Sequence, residues 1–329
     1  MIKHVFAPHL GHDVRLGGRI IPRIPHTTLK MSHVMRALLV PPPPAELDLT
    51  STSLAAQRNI DFNDTEGDCV IAGRAHRIAL ITGAAGALFT YSLDQVQKEY
   101  SRVGGYVVGD PSTDQGCDMT AAANDAVQTG YADGSKDVGF VTVDGANQNE
   151  VMAAFDVLEN GDLGLALPAA WIAPFPDKDG VVWDVAGDPC PENGHCVQIV
   201  GYSATRGVLI NSWGLFLWIT WKALAKYAIG SGGGELIVHA NAGQIAKATQ
   251  KSPEGYDWAT VLSFFGTTLG GSAVNTSAPT IIPTSGGLSL AGAQAAVSGA
   301  IHDGAILQTR GGASQLASTA LAKLSGWPA

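Results

Sequence analysis

The clearest hydrophobic pattern in the chain begins at Cys69. The run Cys69-Val70-Ile71-Ala72 continues through Ile78, Leu80 and Ile81, and the turn-rich stretch Asn63-Asp64-Thr65-Glu66-Gly67-Asp68 sets its start. Asp68 suits a helix N-cap, with its carboxylate accepting the unpaired amides of the first turn. The pattern therefore predicts a buried helix reaching about residue 88, with Cys69 in its first turn. Leu93 to Tyr100, capped by Ser92, and Ala121 to Val127 read as two further helices. From Val138 strands dominate: Val138 to Val143, Leu163 to Leu167, Val181 to Trp183, His195 to Tyr202 and Val208 to Asn211, with one helical insert from Gln148 to Leu158. A helical half followed by a mainly β half predicts an α+β architecture of two lobes, the second barrel-like. Gly232-Gly233-Gly234 reads as a turn before a strand, since no phosphate-loop Lys-Ser/Thr follows.

The two ends differ from this middle. Residues 1–45 read as an arm ending in Pro41-Pro42-Pro43-Pro44, a polyproline II spacer. Arg15, Arg19 and Arg23 recur in it at four-residue spacing and read as a solvated face. After about residue 240 the chain is rich in Gly, Ala, Ser and Thr. The expected organisation is an arm over 1–45, a main domain over 46–240 and an extension of unknown fold over 241–329.

Composition narrows the function. Apolar residues make up 46% and charged residues 15% of the 329, which describes a chain that folds around a core. A net charge of −9 without a dense Lys/Arg run argues against nucleic acid as a partner. No apolar stretch approaches the ~20 residues of a membrane span. The N-terminus Met1 to Phe6 lacks the apolar core of a secretory signal, so a cytoplasmic site of synthesis is expected. The four cysteines, Cys69, Cys117, Cys190 and Cys196, are too sparse for a disulfide scaffold, although Cys190 and Cys196 are near enough in sequence to bridge. A zinc site from Cys190, His195 and Cys196 lacks a fourth ligand, and no metal or other cofactor is expected. Cys196 and His76 read as structural, and Trp218 and Trp221 as core of the β lobe.

Three segments carry candidate chemistry: Asn63-x5-Cys69, Gly194-His195-Cys196-Val197-Gln198-Ile199-Val200-Gly201-Tyr202, and Asn211-Ser212-Trp213-Gly214. His195 follows Cys69 by 126 residues and precedes Asn211 by 16. A thiol, a distant His and a later Asn is the order of a thiol hydrolase triad. A free thiol has a pKa of about 8.5 and is a poor nucleophile at neutral pH. A helix N-terminus and a neighbouring imidazolium both favour the thiolate. The Asn211 side chain can orient His195, and the Cys69 backbone amide with the Asn63 side-chain amide can receive an oxyanion.

These segments resemble the papain family of cysteine peptidases over residues 60–240. Asn211-Ser212-Trp213-Gly214 is identical to that family's Asn-Ser-Trp-Gly signature, whose Trp, here Trp213, shields the Asn–His hydrogen bond. Asp114-Gln115-Gly116-Cys117 resembles its Gly-Cys segment at the substrate cleft. The resemblance implies a Cys69–His195–Asn211 triad, an oxyanion donor at Asn63, a cleft edge at Gly116 and Cys117, and a peptide or protein substrate. Departures stand beside it. Asn63 replaces a Gln, Glu66 replaces a cysteine that pairs with the one matching Cys117, Asp68 replaces a small neutral residue, Val70 replaces an aromatic, and Asp118-Met119-Thr120 replaces Asn-Gly-Gly. Asp68 would oppose a thiolate at Cys69. Two functions follow as expectations: a peptidase acting through an acyl-enzyme, or a weak or inactive papain-fold subunit of a larger assembly, joined through its arm and extension. In the first case the arm has the position of a propeptide.

Overall fold

The structure is a computed structural model that describes residues 3–21, 30–32, 35 and 42–241. The expected extension, apart from Asn241, and Arg23 and Pro41 lie outside the described residues.

The helical part is built on one buried helix. Helix α2 (Cys69–Ala84) follows the short α1 (Leu54–Gln57) and is followed by α3 (Leu93–Gly104) and α4 (Met119–Gln128). Its apolar side chains Val70, Ile71, Ala75, Ile78 and Ile81 enter one core with Val96 and Tyr100 of α3 and Ala122, Ala123 and Ala126 of α4. The chain leaves α2 through Gly86, whose φ of +73° is a left-handed conformation natural to glycine. Helix α3 carries the expected cap: Ser92 accepts from the Gln95 amide while the Gln95 side chain accepts from the Ser92 amide. Two arginines of α2 are buried. Arg74 binds Glu99 at 2.8 Å and Asp125 at 2.9 Å, and Arg77 reaches Asp162 across the lobe boundary.

The β part is one eight-stranded sheet. Strands β6 (Asp137–Val143), β12 (Glu235–Asn241), β7 (Asp162–Ala166), β9 (Gly194–Ser203), β10 (Gly207–Ser212), β11 (Leu215–Ile219) and β8 (Val182–Trp183) neighbour in that order, and β4 (Glu46–Asp48) joins β9. Helix α5 (Gln148–Leu158) lies between β6 and β7 in sequence, α6 (Ala169–Ile172) follows β7, and α7 (Trp221–Tyr227) follows β11. Every residue of β7 and β9 is buried. Strand β9 packs on α2, so the helix that starts at Cys69 and the strand that carries His195 are direct neighbours. The predicted helices and strands are present, and the architecture is α+β.

Residues 3–21 depart from the expected solvated arm. Strands β1 (Lys3–Ala7) and β2 (His12–Leu16) form an antiparallel hairpin, and β3 (Arg19–Ile20) pairs in parallel with β5 (Cys117–Asp118). Arg15 and Arg19 are not a solvated face: they are 6% and 3% exposed. Arg15 is ion-paired to Asp114 and Arg19 to Glu235. Four-residue spacing could not show this, because both partners lie about a hundred or more residues away and the segment is extended. Trp218 and Trp221 are also not core. Both are half-buried, Trp218 beneath Arg206 at 4.0 Å and Trp221 donating to the Ser203 carbonyl at 3.0 Å.

Candidate active site

Cys69 is the first residue of α2, as the hydrophobic run implies, and it is 1% exposed. The Cys196 backbone N–H donates to its sulfur at 3.4 Å, which places the sulfur one residue along β9 from His195. His195 is 2% exposed and stacks on Trp213, with ring centroids 3.9 Å apart and planes 4° from parallel. Its Nε2 lies 2.9 Å from the Ser212 hydroxyl. Burial pushes the Cys69 thiol up to about 12, the Cys196 amide opposing this and the Asp68 carboxylate adding to it. Burial also drives His195 down to about 3, with the Arg19 charge acting in the same direction. Thiol and imidazole are both neutral while the site is covered.

Asn211 precedes Ser212 on β10, and its side-chain amide is bonded to Gln57. Its Nδ2 donates to the backbone carbonyl of Gln57 at 2.7 Å and to Gln57 Oε1 at 3.0 Å, while its Oδ1 is buried without a partner. Ser212, not Asn211, is the hydrogen-bond neighbour of His195. Gln57 was not legible as a site residue, since it stands in no motif. It is held by the Ser53 hydroxyl and the His76 carbonyl, so α1 and the middle of α2 together hold Asn211. His76 itself is structural, its Nε2 lying 3.1 Å from the Asn59 carbonyl.

Trp213 closes one side of the site. Its φ of +48° is unusual for a bulky residue and is maintained by its surroundings. The indole N–H donates to the Asn63 carbonyl at 3.1 Å, Phe175 packs at 4.9 Å, and His9 Nε2 from the β1–β2 turn sits 2.9 Å from the Trp213 carbonyl. Asn63 thus meets Trp213 through its backbone oxygen.

Asp68 occupies the N-cap position, yet its side chain makes no capping hydrogen bond. It is 0% exposed and neither carboxylate oxygen has a partner. Burial, with Glu66 and Asp61 nearby, raises its pKa well above the ordinary value, so its environment disfavours the charge expected beside Cys69. Asp68→Ser should therefore stabilise the fold by about 1–3 kcal/mol, because an unsatisfied buried carboxyl is removed. Urea unfolding at pH 7 measures this, and a loss of stability would show that the carboxyl has a structural role. The other departures are absorbed structurally. Glu66 accepts from Gln97 and Tyr106, and Asp118 caps α4 by accepting from the Ala121 amide at 2.7 Å. No disulfide joins any of the four cysteines, so the Cys190–Cys196 bridge is not formed.

The segment expected as a cleft edge, Gly116 and Cys117, is paired with residues 18–20. The Cys117 N–H donates to the Gly18 carbonyl at 3.0 Å, and Arg19 and Ile20 lie opposite Cys117 and Asp118. Close approach requires glycines here: a Cβ on Gly116 would lie 2.4 Å from Gly18 O, and one on Gly18 would lie 2.7 Å from Gly67 O. Across from this edge, Arg19 O packs on Gly194, directly before His195. The segment 17–20 thus runs between the loop that precedes Cys69 and the strand that carries His195.

No known protein-family profile matches the chain, and no curated protein sequence does. Among solved structures it is similar to xylellain, a cysteine protease from Xylella fastidiosa, at 15% identity and a TM-score of 0.50, over 68% of this chain and 96% of that one. It is also similar to digestive procathepsin L2 proteinase from Tenebrio molitor, at 17% identity and a TM-score of 0.48, over 68% of this chain and 78% of that one. Among the described residues no helix is long and apolar enough to cross a membrane. At these identities the likeness is one of fold, and the chain has a papain-like α+β fold with its candidate nucleophile at the start of the central helix.

Proposed function

We propose that the chain is a latent thiol peptidase, with Cys69 as nucleophile and His195 as base. The observation that supports this reading best is the Cys196 N–H directed at the Cys69 sulfur, which puts the first residue of α2 against the strand position next to His195. Residues 46–240 form the catalytic unit, and residues 17–20 act as its cover.

With the cover displaced, water reaches the pair and the His195 pKa returns towards its ordinary value. The Cys69 proton passes to His195, and the sulfur attacks the substrate carbonyl carbon. The resulting oxyanion takes hydrogen bonds from the Cys69 backbone amide and the Asn63 side chain. The imidazolium gives its proton to the leaving amine, and water then hydrolyses the thioester with His195 again as base. Trp213 and Ser212 hold the ring. The unpartnered Asn211 Oδ1 is the acceptor available to the charged imidazole.

The test is the rate of Cys69 alkylation by iodoacetamide from pH 4 to 10, read by peptide mass spectrometry in Arg15→Met, which loosens the cover, and in Arg15→Met/His195→Ala. Reactivity that persists well below pH 8 in the first and is lost in the second is expected. A simple free-thiol titration in both would overturn the peptidase reading. It would favour the alternative, a papain-fold subunit without chemistry.

A further inference from the structure

Gly73 stands four residues after Cys69, on the same face of α2. A Cβ there would lie 3.6 Å from the Cys196 sulfur, so the Cys196 side chain packs on the row of α2 that Cys69 begins. The Cys69 sulfur in turn takes the Cys196 N–H at 3.4 Å. Each cysteine thus sets its sulfur against the element that carries the other. That contact, extended by the covalent bonds on either side, keeps the two Cα atoms less than about 8 Å apart even if all were collinear, and a disulfide spans roughly 4.4–6.8 Å. The cross-strand partner of Cys196 on β7 is Gly164, which presents no side chain. Both thiols are free and share one apolar cluster.

The other two cysteines are placed differently. The Cys117 sulfur lies 2.9 Å from the position of a Cβ on Gly104, at the end of α3 beside Tyr100. Cys190 is half-buried and donates to Glu192 Oε2 at 3.2 Å. The close pair is also chemically unequal. Once the site is uncovered, Cys69 has His195 to take its proton and becomes the thiolate, the form that reacts with oxidants. Burial raises the Cys196 thiol pKa well above the ordinary value, with Asp162 and Cys69 adding to the rise, so Cys196 keeps its proton.

We infer that Cys196 is a resolving cysteine for Cys69, and that peroxide joins the two in a reversible disulfide that switches the nucleophile off and shields it from irreversible oxidation. The Cys69 thiolate attacks one oxygen of hydrogen peroxide, the O–O bond breaks, and the departing hydroxide takes a proton to become water. The Cys196 sulfur then attacks the sulfenic sulfur, the S–O bond breaks, and the hydroxyl leaves with the Cys196 proton as a second water. Two thiols are oxidised to one disulfide and one peroxide is reduced to two waters. The loss of peptide cleavage rests on the peptidase reading; the pairing of the sulfurs does not.

The test exposes the full chain, as wild type and as Arg15→Met, to hydrogen peroxide until Cys190 is wholly oxidised, and maps the peptides by mass spectrometry before and after dithiothreitol. A peptide pair joined through Cys69 and Cys196 is expected, two hydrogens lighter than the reduced peptides. Dithiothreitol should restore Cys69 alkylation almost fully in these chains but to less than about a tenth in Cys196→Ala, where the sulfenic acid runs on to sulfinic and sulfonic acid. Cys117→Ala should keep the link. Sulfinic acid at Cys69 with Cys196 still reduced, a link from Cys69 to Cys117, or Cys69 still reduced in both chains would each overturn the assignment, and none of these needs the Cys196→Ala chain to fold. Iodoacetamide separates the two readings. A Cys69–Cys196 link in a chain whose Cys69 alkylation follows a free-thiol titration removes the peptidase and keeps the pair. Alkylation that persists well below pH 8 without the link removes the pair alone.

Discussion

Arg77→Met is expected to lower the unfolding free energy by about 3–5 kcal/mol at pH 7, the usual cost of removing one partner of a buried ion pair. Arg77 is 2% exposed on α2 and joins that helix to three strands of the sheet. It pairs with Asp162 of β7 and donates to the Tyr131 hydroxyl at 2.8 Å. Tyr131 bonds Asp137 of β6, and His239 of β12 lies 2.7 Å from Asp137 and 3.3 Å from Asp162. Burial alone would raise the Asp162 pKa, but Arg77 and His239 outweigh it and hold the carboxyl at about 2. The stability gained from Asp162 is therefore present at neutral pH and lost as pH falls from about 4 towards 2. With Met at 77 the carboxylate loses its main counter-charge and takes up a proton more readily, so the deficit should shrink in acid. Urea denaturation at pH 7 and pH 4 measures both effects, and a deficit that is equal or larger at pH 4 would refute the account. The consequence reaches the site because this network fixes α2, and so Cys69, against the strand of His195.

Arg15→Met should raise the rate of Cys69 alkylation in the full chain by about 10²–10⁴-fold, which is the kinetic equivalent of losing about 3–5 kcal/mol from the cover's docking. Arg15 binds Asp114 through its guanidinium, and its backbone N–H donates to the Asp64 carbonyl at 2.9 Å. Asp114 also takes the Gly67 N–H at 3.1 Å, so one carboxylate holds both the Arg15 segment and the loop that leads to Cys69. Labelling of a side chain as buried as Cys69 proceeds through local opening, and the opening that matters is departure of residues 17–20. Cys196, buried in the core at 2% exposure, reports global unfolding in the same experiment. Parallel increases at Cys69 and Cys196 would mean that Arg15 stabilises the whole fold and does not specifically hold a cover.

The two predictions rest on buried charges that one-dimensional patterns hide. Arg74, Arg77, Asp137 and Asp162 look like ordinary surface residues in the sequence, and only their burial gives them consequence. The same holds at the site. The Asn-Ser-Trp-Gly motif cannot say that Ser212 rather than Asn211 meets His195, or that Gln57 takes the Asn211 amide. Side-chain rotation about one bond decides that, and rotation follows from neighbours far along the chain.

What the sequence by itself determined is local and periodic. The apolar run from Cys69 and the turn before it set a helix whose first residue is a thiol. The alternating and continuous apolar stretches after Val138 set the strands, and Ser92 and Gln95 set the cap of α3. These follow from backbone geometry and burial periodicity, which act over a few residues. Only the tertiary structure decided the role of residues 3–21, because strand pairing and ion pairing join positions with no sequence relation. A glycine at 164 acquires meaning only when Glu235 and Cys196 flank it across the sheet, and the Asp68 pKa rises only once the carboxyl is enclosed.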